Sequence, residues 1–121
     1  MFKITKRFEF CASHQLENLP LEHPCSRMHG HNYVVTFELS SNTLDHVGFV
    51  RDYRELDAVK KYIDSTFDHK HVNNVIFPLN PTAENMAKHL YDTFKSMYPE
   101  LSAVEVSETP KTNARYEHTA N

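Results

Sequence analysis

The chain contains no tryptophan, only two glycines and only two cysteines in 121 residues. Two cysteines cannot build a disulfide framework, so the chain reads as a protein of a reducing compartment, the cytoplasm. A lone Cys11–Cys25 bridge is disfavoured there, and Cys11 reads as a small buried apolar residue. A basic excess is missing too: the formal net charge is -3 and the pI is near 6.3, which removes the electrostatic footprint of a nucleic-acid partner. No apolar run approaches the roughly 20 residues that a membrane span needs. The opening Met1-Phe2-Lys3-Ile4-Thr5-Lys6 alternates and lacks the continuous apolar region of a signal peptide. A chain of this length suits one domain over 1–121 that buries about two thirds of its unfolded surface. What is present in excess is histidine, at nine residues.

Phe2, Ile4, Phe8, Phe10, Ala12 and His14 share one parity, which predicts a strand with one buried face. A second strand is predicted from about Asn32 to Ser40, with Tyr33, Val35, Phe37 and Leu39 alternating. The loop from Gln15 to His31 between them is long for a compact domain, and such loops are usually functional. Asp52, with Glu55 three residues on, forms a capping-box pattern opening a helix along Leu56, Val59, Ile63 and Phe67. Asp68 to Pro81 reads as irregular. Thr82 is the predicted N-cap of a second helix through Met86, Leu90, Phe94 and Met97. Leu101–Glu108 and Thr112–His118 read as third and fourth strands. The order is ββααββ, an α+β fold. A four-stranded sheet covered on one side leaves open edges, which a homo-oligomer would pair.

His29-Gly30-His31 is the sharpest motif. On an extended segment residues i and i+2 point to one side, so both imidazoles can converge on one ion. Gly30 allows close approach and unusual backbone angles. His14 is the natural third ligand, because its strand is expected to pair with the one following His31. Three neutral imidazoles suit Zn²⁺ with a fourth position open to water or substrate. A closed structural site with Cys25 as fourth ligand is equally compatible with the composition. His23, His46, His71, His89 and His118 lack a partner pattern and read mostly as solvated surface residues.

Phe10-Cys11-Ala12-Ser13-His14 followed by Cys25-Ser26-Arg27-Met28-His29-Gly30-His31 resembles the 6-pyruvoyl-tetrahydropterin synthase family. The C-x3-H-G-H spacing is closest to its 6-carboxy-5,6,7,8-tetrahydropterin synthase branch, in queuosine biosynthesis. Gly48-Phe49-Val50-Arg51-Asp52-Tyr53, Asp68-His69, Pro81-Thr82-Ala83-Glu84-Asn85 and Glu108-Thr109 follow in the expected order. Departures are confined to Cys11, Phe67 and Val72, which touch packing. The resemblance implies the tunnelling fold, in which three subunits close a β-barrel and two trimers stack into a homohexamer with active sites between subunits. It implies zinc on His14, His29 and His31, Cys25 as catalytic base, Asp68 and His69 as its support across a subunit interface, and Glu108 as the pterin anchor. The implied substrate is 7,8-dihydroneopterin triphosphate, giving 6-carboxy-5,6,7,8-tetrahydropterin, acetaldehyde and triphosphate. Arg27, placed in the motif loop, is expected to receive phosphate. Adjacent residues on an extended chain point apart, so a direct Asp68–His69 bond is not claimed from the sequence. A 6-pyruvoyl-tetrahydropterin synthase and a non-catalytic zinc-stabilised binding module are the alternatives.

Overall fold

The computed structural model describes residues 1–118; 119–121, the end of the expected domain, lie outside the described residues. Alternating apolar residues build β1 (Phe2–His14) and β2 (His29–Ser41), which pair antiparallel along their whole length. β3 (Leu101–Ser107) and β4 (Ala114–Glu117) complete an antiparallel sheet in the order β1-β2-β3-β4. β2 begins three residues before its expected start, because β1 offers backbone partners as far as His14 and the ladder zips back to His29. The metal motif is therefore strand, not loop. β4 is shorter than expected at both ends.

Three helices follow the chain: α1 (Asp57–Thr66), α2 (Val72–Val75) and α3 (Ala83–Phe94). Val59 and Ile63 of α1 and Met86, Ala87, Leu90 and Phe94 of α3 join Phe8, Phe10, Tyr33, Val35, Phe37, Val104 and Val106 in one buried cluster. The opposite face of β1 stays polar and exposed, with Lys3, Thr5, Arg7 and Glu9.

Four expectations change here. Asp52 caps a 3-10 turn over Tyr53–Leu56 rather than the α-helix, accepting from the Arg54 N–H at 2.9 Å. Glu55 does not return the bond, because Arg51 Nη1 takes its carboxylate at 2.7 Å. α2 forms inside the segment read as irregular. α3 ends at Phe94, so Met97 is 54% exposed and Tyr98 enters the core instead. Thr82 caps α3 as expected, its hydroxyl accepting from the Asn85 N–H at 3.2 Å.

Candidate metal centre and active site

The β1–β2 register sets His14 directly opposite His29, with His31 opposite Ala12 one step along the same face. One nitrogen from each of the three imidazoles lies within 4.8 Å of the others, and no other such group of histidine, cysteine or acidic side chains occurs among the described residues. Cys25 is outside the cluster, so the arrangement matches an open site rather than the closed alternative.

Two backbone carbonyls decide the tautomers. His14 Nδ1 donates to Pro81 O at 2.8 Å, and His29 Nδ1 donates to Arg27 O at 2.7 Å. Each neutral ring then carries its lone pair on Nε2. Yet these two Nε2 atoms stand 2.8 Å apart. Lone pairs held that close repel unless a proton or a cation lies between them. His31 Nε2 is buried without a hydrogen-bond partner and sits 3.8 Å from Glu108 Oε2. Burial lowers the pKa of both His14 and His31, more than Glu108 raises them, which favours the neutral ligand form. Outer hydrogen bonds of this kind orient metal-binding imidazoles. The donor set fits a divalent cation.

Arg27 thus acts through its carbonyl, while its exposed side chain has no described partner. Glu108, just past β3, borders a cavity of about 690 Å³ with His31, Tyr33 and Asn113. Tyr33 continues the His29–His31 parity, and its buried hydroxyl lacks a partner. Burial, with a smaller contribution from Glu108, pushes its ionisation far above the usual phenol range. The parity pointed to Tyr33 as core and gave no sign of the orphaned hydroxyl.

A second cavity, of about 650 Å³, is lined by Cys11, Ser13, His31, His69, Lys70 and His71. Here the structure corrects or extends several expectations. Asp68 Oδ2 and His69 Nδ1 meet, at 2.9 Å, because His69 adopts φ 59° and turns its side chain back. The pair is pinned to the free edge of β1: Cys11 N–H donates to Asp68 Oδ1 at 3.0 Å, and His69 N–H donates to Cys11 O at 2.6 Å. The Cys11 bond first, and then His69, hold the Asp68 carboxyl below its ordinary pKa. Cys11 is exposed rather than buried, and both cysteines are free. Its thiol donates to Asn32 Oδ1 at 2.9 Å. His71 pairs with Ser13 Oγ at 2.9 Å and His89 with the Tyr62 hydroxyl at 2.8 Å, so neither is simply solvated.

Cys25 lies in the 3-10 turn Pro24–Ser26, half-exposed, its N–H donating to His23 Nδ1 at 3.1 Å. The cavities at His31 do not include it, and no described hydrogen bond joins it to Asp68 or His69 within the chain. The structure brings together His14, His29, His31 and Glu108, and separately Asp68 with His69.

An antiparallel sheet whose three converging imidazoles could hold a cation, beside open cavities, defines an α+β protein with a candidate metal site. The comparisons carry that further. The family model described as 6-pyruvoyl tetrahydropterin synthase matches residues 3–119, and the chain belongs to that family. A 6-carboxy-5,6,7,8-tetrahydropterin synthase of Rickettsia felis is 33% identical, covering 84% of this chain and 83% of the relative. A 6-pyruvoyl tetrahydrobiopterin synthase of Dictyostelium discoideum is 29% identical over 88% of each chain. The structure of Caenorhabditis elegans 6-pyruvoyl tetrahydropterin synthase superposes with a TM-score of 0.85 at 25% identity, covering 98% of this chain and 96% of that one.

Proposed function

We propose that this chain is a zinc-dependent 6-carboxy-5,6,7,8-tetrahydropterin synthase, a carbon–carbon lyase of cytoplasmic queuosine biosynthesis. With one molecule of water it would convert 7,8-dihydroneopterin triphosphate to 6-carboxy-5,6,7,8-tetrahydropterin, acetaldehyde and triphosphate. The observation that carries the reading is the convergence of His14, His29 and His31 on one point, with the His14 and His29 Nε2 atoms 2.8 Å apart, which supports a cation site. Glu108 stands beside it, and Cys25 precedes it at the C-x3-H-G-H spacing.

His14, His29 and His31 hold the ion. When bound, Zn²⁺ supplies Lewis acidity, which acidifies a hydroxyl and polarises a carbonyl of the substrate side chain. Cys25 is the base that removes protons from side-chain carbons, the thiolate being the reactive form of a cysteine. His69, held by Asp68, supports Cys25 from a neighbouring copy. This division fits the absence of a Cys25 contact to the pair within one chain. Glu108 accepts paired hydrogen bonds from the amino and ring N–H groups of the pterin and so fixes its orientation. The Arg27 side chain receives phosphate. The assembly is a homohexamer in which sheet edges of neighbouring copies meet.

The second reading, 6-pyruvoyl-tetrahydropterin synthase, is favoured by the Dictyostelium relative and the Caenorhabditis structure. Zinc-loaded protein is incubated with 7,8-dihydroneopterin triphosphate and the products are identified by mass. Acetaldehyde with a carboxy-pterin is expected. A pyruvoyl-pterin without acetaldehyde selects the second reading, and no pterin product overturns both. Cys25→Ala separates either enzyme from a zinc-stabilised binding module. We expect retained metal and a loss of turnover of about 10²–10⁴-fold; loss of metal and folding would instead reveal Cys25 as a fourth ligand.

A further inference from the structure

No residue from 15 to 28 is buried, and the 3-10 turn that carries Cys25 sends no side chain into the core. Apolar packing therefore does not place Cys25, and hydrogen bonds must. Most of those in the loop tie it to itself: Cys25 N–H goes to His23 Nδ1, and Ser26 Oγ donates to Leu21 O and His23 O. Among the described residues two bonds tie this turn to anything outside 20–29. Leu16 N–H donates to Cys25 O at 3.0 Å, and Gln15 Nε2 donates to Ser26 O at 2.8 Å.

The segment that makes those two bonds is itself held by two carboxamides. Gln15 N–H donates to Asn73 Oδ1 at 2.8 Å, and Asn73 Nδ2 donates back to Gln15 O at 2.7 Å. Two residues on, Glu17 N–H donates to Asn80 Oδ1 at 2.8 Å, and Asn80 Nδ2 donates to Glu17 O at 3.0 Å. A carboxamide carries the donor and the acceptor of a peptide group. The two side chains thus stand in for a partner strand, continuing the bridge between Ser13 and His71 past the end of β1.

We propose that Asn73 and Asn80 are positioning residues for Cys25. Their carboxamides clamp 15–17, and that segment fixes the Cys25 turn relative to His14, the residue immediately before the clamp. This rests on the reading of Cys25 as the base. A base must stand within hydrogen-bond reach of the proton it removes, and a misplacement of about 1 Å costs up to about 10²-fold in rate.

Asn80 precedes Pro81, whose carbonyl holds His14, so the test uses Asn73. Asn73→Ala removes both bonds. Asn73→Asp keeps the shape and the acceptor for the Gln15 N–H, but sets a carboxylate oxygen against the Gln15 carbonyl. Asn74→Ala, exposed on the same short helix and outside the clamp, is the control. Zinc affinity is measured by calorimetry, and zinc-loaded protein is assayed with 7,8-dihydroneopterin triphosphate. Iodoacetamide labelling of Cys25 is followed by peptide mass, with the exposed Cys11 as internal reference. For both Asn73 variants we expect kcat to fall about 10–10²-fold, with KM and the zinc Kd within about twofold of the parent. Cys25 labelling should rise about fivefold relative to Cys11, as the turn opens locally. Asn74→Ala should match the parent throughout. Full kcat in Asn73→Asp overturns the proposal, because shape alone then suffices. An unchanged ratio of Cys25 to Cys11 labelling overturns it as well, since the turn is then no freer than the rest of the chain. Zinc affinity lost in step with kcat also overturns it, because the effect then runs through the histidines. A parent protein that forms no pterin product sinks the reaction reading alone; the labelling ratio still decides whether Asn73 holds Cys25.

Discussion

The proton on each imidazole Nδ1 is the smallest feature on which the metal centre depends. Pro81 O and Arg27 O each accept one, which leaves His14 and His29 presenting bare Nε2 atoms to one another. Both carbonyls come from outside the strands, so the strand register brings the rings together and the loops decide their chemistry. Gly30 turns out to play a smaller part than the sequence suggested. It lies in the regular β1–β2 ladder opposite Ser13, and a Cβ there would meet only Ala12 O, at 3.6 Å. That is ordinary van der Waals contact. Gly30→Ala is therefore expected to fold with a stability change below about 1 kcal/mol, and to hold zinc within about twofold of the parent affinity. Denaturant melts and zinc calorimetry check this, and loss of metal binding would return a steric role to Gly30. The positive φ of Gly48, at 103°, is the one place where glycine's freedom is used.

At the scale of elements, α1 and α3 are tied through a pair that composition alone disguised as surface. Tyr62 of α1 meets His89 of α3 at 2.8 Å, and Phe67 packs edge-on against the imidazole. Burial lowers the His89 pKa, with Asp92 on the same helix opposing the shift more weakly. The sign follows from linkage: the unfolded chain takes up a proton near the ordinary histidine value, and the folded chain only at lower pH. The unfolded state thus binds more protons in that window, and stability falls as pH drops below about 6.5. His14 and His31 shift the same way, so the His89 share is isolated by difference. In urea melts on zinc-saturated protein between pH 7.5 and 5.5, His89→Gln should lose stability less steeply than the parent. Parallel slopes would show that His89 titrates freely in the folded protein. The strands and both long helices were legible from apolar spacing, because a half-buried sheet and an amphipathic helix impose periods of two and 3.6. The 3-10 turn at Tyr53–Leu56 and the short α2 were not, because they answer to local contacts. Arg51 draws away the side chain of Glu55, and the chain turns beside β1, where Ser13 bridges to His71.

For the whole molecule, the free edge of β1 sets the terms. Its C-terminal end is occupied by the 68–71 segment: Lys70 O accepts from Ser13 N–H, and Cys11 is bonded on both its N–H and its C=O. Among the described residues the rest of that edge has no strand beside it, and β4 leaves the opposite edge equally open. Unpaired edges favour association. Sedimentation of zinc-loaded protein is expected to give six times the 14.1 kDa chain mass, with turnover tracking that species on dilution. Full turnover by a monomer would end the idea that His69 serves the Cys25 of a neighbour.

The sequence by itself determined the strand faces, the helix stripes and the identity of the three imidazoles, because each of these depends on residue type and spacing along the chain. Tertiary structure alone decided how the site is tuned. The carbonyls that select the tautomers, the left-handed turn that brings His69 onto Asp68, and the burial of the Tyr33 hydroxyl all depend on where distant segments pack. His14 and Pro81 meet across 67 residues, and Cys11 and Asp68 across 57. No periodicity encodes a contact of that span; only the folded chain brings its two ends to one place.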